Sequence, residues 1–131
     1  MRLVNQLLIT GLILIAIACQ KQEKKSSQQL KIAYNVAVDM EKDNYEVFVM
    51  NFDGSGKHNV TNSPGVEWTY FAYQDKLYYI SDRDTTHRYY YLYECDWQGN
   101  NLRKITNFRL ADSWHNSRFN NTEMIVKPYK T

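Results

Sequence analysis

The chain repeats itself at a distance of 45 residues, and that repeat limits its fold more than any other feature. The stretch NYEVFVMNFDGSGKHNVTN, Asn44 to Asn62, lies without a gap over YYYLYECDWQGNNLRKITN, Tyr89 to Asn107. Tyr45 falls on Tyr90, Val47 on Leu92, Phe48 on Tyr93 and Phe52 on Trp97. Further on, Gly54 falls on Gly99, Val60 on Ile105, Thr61 on Thr106 and Asn62 on Asn107. The preceding stretches match as well, KIAYNVAVD (Lys31 to Asp39) over KLYYISDRD (Lys76 to Asp84). A third copy begins at EMIVKPYKT, Glu123 to Thr131, now shifted by 47. A fixed period of this length marks one small supersecondary unit stacked on the next.

Each unit reads as strands and turns. EVFVMNF alternates as a half-buried strand does. Asp53-Gly54 and Gln98-Gly99 follow as turns, with glycine supplying the positive φ. HNVTN and RKITN give short return strands, and KLYYIS is apolar enough for a strand deep in a stack of sheets. Asn62-Ser63-Pro64-Gly65 is a loop. Each period therefore predicts about four short strands, and the 15% aromatic content favours strands over helices.

These residues resemble the repeat of TolB-type, or WD-like, β-propellers. The pattern there is roughly Asn-x-Glu-Ile-Tyr-x-Met-Asn-x-Asp-Gly, a polar stretch, then Leu-Thr. Asn44, Glu46, Val47, Phe48, Met50, Asn51, Asp53, Gly54, Val60 and Thr61 fill it, and Ser81-Asp82-Arg83 resembles the family's Ser-Asp-Arg strand ending. The second copy departs at Tyr91, Cys95 and Gln98, which replace Glu, Met and Asp. In the first copy YNVAVD stands in place of the Ser-Asp-Arg ending, and Asn120-Asn121-Thr122 stands where the family has Pro-Asp-Gly. The resemblance implies an all-β fold over 30–131: an incomplete β-propeller of about two four-stranded blades plus the start of a third, after an N-terminal signal helix. A propeller closes with ~4–8 blades. The sequence therefore predicts a truncated copy of a longer protein, or a chain that closes a ring with others.

The N-terminus carries a different signal. Arg2 precedes LVNQLLITGLILIAIA, and small residues lead to Cys19. A positive start, a short apolar core and a small-residue cut point predict a secretory signal peptide over 1–18. The fully apolar run Leu12 to Cys19 is well short of the ~20 residues that a membrane span needs. Ala16-Ile17-Ala18-Cys19 resembles the lipobox of bacterial lipoproteins, although Ala16 replaces the usual leucine. That resemblance implies cleavage before Cys19 and a lipid on its sulfur. Residues 19–29, with QKQEKKSSQQ after the cysteine, hold no apolar side chain beyond Cys19 and form a flexible tether. The charges directly after Cys19 resemble outer-membrane sorting signals. With Cys19 lipidated, Cys95 has no partner for a disulfide within the chain and reads as a buried, inert thiol.

Chemistry is sparse. Gly54-Ser55-Gly56-Lys57 lacks the spacing of a Walker loop, and His58 stands where Ser or Thr is needed. Only Gly54 is kept in the second copy, so the stretch reads as a turn. His58, His87 and His115 share no metal-ligand spacing; His58 and His87 fall in predicted turns, and His115 packs near a unit start. No serine sits in a Gly-x-Ser-x-Gly elbow. Catalytic residues, metal ligands and cofactors are therefore not expected. Asp82, Arg83 and Asp84, at a strand end, form the candidate ligand face, set against a hairpin whose aspartates bond local amides. Tyr89-Tyr90-Tyr91-Leu92-Tyr93 could stack on a sugar, or pack between units. A net charge of +2 without a basic stripe gives no nucleic-acid surface.

The expectation is a non-enzymatic envelope lipoprotein, anchored in the membrane through Cys19, on the outer membrane facing the periplasm or the surface. Its propeller segment would present loops to a protein or glycan partner. The alternative is the front propeller of a prolyl-oligopeptidase-like hydrolase without its catalytic domain.

Overall fold

The computed structural model describes residues 30–111, 116–120 and 122–130. The signal segment 1–18, Cys19, the tether 19–29 and His115 lie outside the described residues. The strands are β1 Lys31–Asp39, β2 Asn44–Asn51, β3 His58–Asn59, β4 Glu67–Tyr73, β5 Lys76–Ser81, β6 Tyr91–Asp96, β7 Arg103–Lys104, β8 Asn116–Arg118 and β9 Glu123–Ile125. Among the described residues there is no helix, so the fold is all-β, as the repeat predicts. The strands form three antiparallel sheets, ordered β1-β2-β3, β4-β5-β6-β7 and β8-β9, and none closes on itself. The second period thus holds the four strands expected of a unit, whereas the first holds three among the described residues.

The repeat of the letters is a repeat of bonds. Lys31 lies opposite Asn51 across β1 and β2, and Lys76 opposite Asp96 across β5 and β6. Val49 pairs with His58, and Glu94 with Arg103. The amide of Val60 donates to the carbonyl of Val47 at 2.8 Å, and that of Ile105 to Leu92 at 2.7 Å. Thr61 Oγ1 accepts the amide of Val47 at 3.0 Å, and Thr106 Oγ1 that of Leu92 at 3.0 Å. In every case the partners move together by 45 residues. The shared threonine caps the amide that a two-residue return strand is too short to reach.

The turns repeat too. Gly54 donates to the Asn51 carbonyl at 2.9 Å with φ 82°, and Gly99 to the Asp96 carbonyl at 3.0 Å with φ 84°. Open space surrounds a Cβ placed at Gly54, so backbone conformation alone selects glycine there. At Gly99 a Cβ would also collide with the Val60 carbonyl of the neighbouring sheet. Asp53 Oδ1 accepts from the Ser55 amide at 3.0 Å and from its hydroxyl at 2.6 Å, which closes the Gly-Ser-Gly-Lys stretch as a turn. One expectation changes here. His58 is not a solvated turn residue but half-buried at the start of β3, its ring between the carbonyls of Gly56 at 2.9 Å and Trp97 at 2.8 Å.

The second sheet is buried on both faces. Leu77, Tyr79, Tyr93 and Cys95 pack on Val47, Val49 and Val60 of the first period. Ile80 and Leu92, on the opposite face, pack with Val66, Tyr90 and Leu110, and Met124 and Val126 lean on them. Alternate residues of β5 and β6 thus serve two cores, which is why KLYYIS is apolar almost throughout. Each fully buried Leu, Ile or Val side chain contributes roughly 1.5–3 kcal/mol through area removed from water.

Candidate ligand face at the strand ends

Asp82, Arg83 and Asp84 follow the last residue of β5, and their side chains part company. Asp82 is buried, with Oδ1 accepting the Val66 amide at 2.9 Å and Oδ2 the Arg88 amide at 2.7 Å. Its own carbonyl accepts the Thr85 amide at 3.0 Å and the Thr85 hydroxyl at 2.7 Å. The carboxylate therefore ties the loop 82–90 to the start of β4, with one amide inside the loop and one from Val66, well back along the chain. Gly65 makes room for it. Its φ is 148°, and a Cβ there would collide with Asp82 Oδ1.

Arg83 turns into the protein. Its guanidinium lies 5.5 Å from the ring centroids of both Tyr79 and Tyr93. Nη2 donates to the Thr61 carbonyl at 3.2 Å, and Nε to Ser81 Oγ at 3.2 Å. The same Nη2 stands 3.8 Å from Glu67 Oε1. Asp84 remains exposed, in the left-handed region at φ 62°. The tyrosine hydroxyl of Tyr93 is pushed above its ordinary value, by burial first and then by the charge of Asp84.

Around Arg83 the structure gathers a polar cluster that sequence reasoning missed. Glu67, the first residue of β4, is 0% exposed, and its Oε1 accepts the Ser81 hydroxyl at 2.7 Å. Burial, and then the nearby charge of Glu46, push its carboxyl up to about 7, against the pull of Ser81 and Arg83. Glu46 is buried as well, accepting the Thr61 hydroxyl through Oε2 and the Ser63 amide at 2.8 Å through Oε1. Two sheets thus meet over two carboxylates and one guanidinium. The cluster can hold a proton near neutral pH. Only position could have exposed it: Glu46 and Glu67 each sit beside valines at the start of a strand whose neighbours are apolar or aromatic.

Several further titratable groups are tied into the surface or the core. Arg88 clamps Asp43 at 2.8 and 2.9 Å, and its hydrogen bonds hold the Asp43 carboxyl below the usual range. His87 lies 3.1 Å from Asp43 and 3.8 Å from Asp82. Cys95 is a buried free thiol, pushed up to about 12 by burial and then by Asp96, which leaves it unreactive. Among the tyrosines, Tyr90 and Tyr93 are buried in the cores, and Tyr93 stacks on Tyr79 at 6.1 Å. Among the described residues no three His, Cys, Asp or Glu side chains are placed to hold a metal ion.

No protein-family model, curated protein or solved structure matches the chain.

Proposed function

We propose that the chain is a cell-envelope lipoprotein. A lipid on Cys19 holds it at the outer membrane, and a TolB-like β-propeller segment presents a protein- or glycan-binding scaffold. The observation that carries the reading is the recurrence of whole hydrogen-bond sets at a spacing of 45, which builds one antiparallel sheet face to face with the next. That is how propeller blades and other repeat arrays bury their faces. The scaffold reading also fits the site. Glu46, Asp82 and Arg83 spend their polar atoms on backbone amides, hydroxyls and rings of the protein. Groups fixed in that way serve shape rather than turnover.

The anchor rests on the lipobox-like Ala16-Ile17-Ala18-Cys19. A single acyl chain binds membranes reversibly, and several chains bind firmly. Fractionation of cells expressing the full chain tests this. The native chain is expected in the membrane after a high-salt wash and the Cys19→Ser variant in the soluble fraction. A Cys19→Ser chain that stays with the membrane would contradict the anchor.

A further inference from the structure

The same three positions meet at both junctions between units, and they are filled differently. At the second junction they are Tyr89, Arg109 and Tyr129. The Arg109 guanidinium lies 4.2 Å from the ring centroid of Tyr89 and 3.5 Å from that of Tyr129, and its Nη2 donates to the Arg88 carbonyl at 3.4 Å. A planar cation thus sits between two aromatic faces. At the first junction the matching residues are Asn44 and Pro64, at the spacing of 45, and Asp82, at the spacing of 47. The backbone frames agree, since Tyr45 and Gly65 bond through their main chains at 3.0 Å, as Tyr90 and Leu110 do at 2.9 Å. Asn44, Pro64 and Asp82 bring neither a guanidinium nor an aromatic ring, and a cavity of about 350 Å³ opens among them. That volume falls within the ~300–1,000 Å³ of small-ligand sites.

From this we infer that the cavity binds a guanidinium group, which takes the place that Arg109 takes at the next junction. The acceptors are present. Asn44 lines the cavity, and its Oδ1 is buried without a hydrogen-bond partner among the described residues. A buried acceptor left unpaired is destabilising, and a bound donor relieves it. Asp82 lines the same cavity, and each of its oxygens accepts one amide and has room for a second bond. The charge around the cavity suits a cation. Lys42 is paired with Asp39 at 2.9 Å, and Arg88 with Asp43 at 2.8 Å. The Asp82 carboxylate is met by two amides and, at 3.8 Å, by the exposed ring of His87. A planar fork can serve two separate acceptors at once, which a compact ammonium does less well. The site lies between the first two units and depends neither on the lipid anchor nor on closure of a ring. An arginine in a polypeptide and a free guanidinium compound share this chemistry.

The probes are methylguanidinium and N-acetyl-arginine methylamide, titrated into the full chain, with N-acetyl-lysine methylamide as control. Saturable binding of both guanidinium probes is expected, at least tenfold tighter than that of the lysine control. Asn44→Leu removes the unpaired acceptor and should weaken binding at least tenfold. Pro64→Arg gives the first junction the residue that Arg109 is at the second, and should abolish binding by filling the cavity from within. Lys57→Gln, on the exposed turn beyond the far end of β2, should change nothing. Circular dichroism of the same samples reports the fold. Tighter binding of the arginine probe than of methylguanidinium upholds the site with a polypeptide as the source, and equal binding upholds it with a free guanidinium compound. No saturable binding by a chain with intact β signal overturns the site and leaves the scaffold reading standing. Loss of the β signal in the native chain overturns both. Binding that survives either variant with its β signal intact, or that the lysine control matches, overturns the site.

Discussion

Thr61 accepts the amide of Val47 at 3.0 Å, and Thr106, 45 residues later, accepts the amide of Leu92 at the same distance. The pair gives a graded prediction. Thr106→Val strands one buried amide, at about 1–3 kcal/mol. Thr61→Val strands the equivalent amide and also removes the hydroxyl that Glu46 accepts, so it costs more. Urea unfolding of the two variants checks the order. Equal losses would mean that the Glu46 bond contributes nothing.

The carboxyl of Glu67 makes stability depend on pH. Its ordinary value is 4.5, and burial followed by Glu46 raises it to about 7 in the folded chain. Between those values the folded chain keeps a proton that the unfolded chain has released. The contribution is therefore complete below the unfolded value and is lost as pH rises through about 7. At ~1.4 kcal/mol per unit, the swing is on the order of 3 kcal/mol at most. Glu67→Gln keeps an acceptor for Ser81 and carries no charge. Denaturation curves from pH 5 to pH 8 should show the difference between variant and native chain moving in the variant's favour. A constant difference would rule out titration of Glu67 in that window.

Gly65 is held by Asp82. Gly65→Ala places a side chain at φ 148° and against Asp82 Oδ1, so the carboxylate must leave the Val66 amide. Thermal unfolding should show a loss of about 1–3 kcal/mol from the backbone conformation, and more from the displaced bond. The double variant Gly65→Ala, Asp82→Ala should lose less than the sum of the two single changes. Strict additivity would show that the two residues act separately.

Much of the fold was legible because a repeat checks itself. β2 and β6 stop at equivalent positions, Asn51 and Asp96, and the glycines at 54 and 99 mark the same turn. The overlay of KIAYNVAVD on KLYYISDRD marks the common start of β1 and β5 but not their lengths, since β1 runs nine residues and β5 six. The site was less legible, for a physical reason. Asp82, Arg83 and Asp84 are neighbours in the chain, but a strand end sends successive side chains in different directions. Asp82 goes to backbone amides, Arg83 between two tyrosine rings and Asp84 to solvent. Glu67 becomes notable only when β5 brings Ser81 opposite it. His58 looked like a turn residue because the carbonyl that holds it, Trp97, lies 39 residues away.

Amide hydrogen exchange at single-residue resolution tests the repeat as the unit of structure most directly. The amides of Val47, Val60, Leu92 and Ile105 carry the two matching sets of bonds. They should all exchange slowly, through a shared opening, with Val47 matching Leu92 and Val60 matching Ile105. Protection of one set beside coil-like exchange of the other would contradict it.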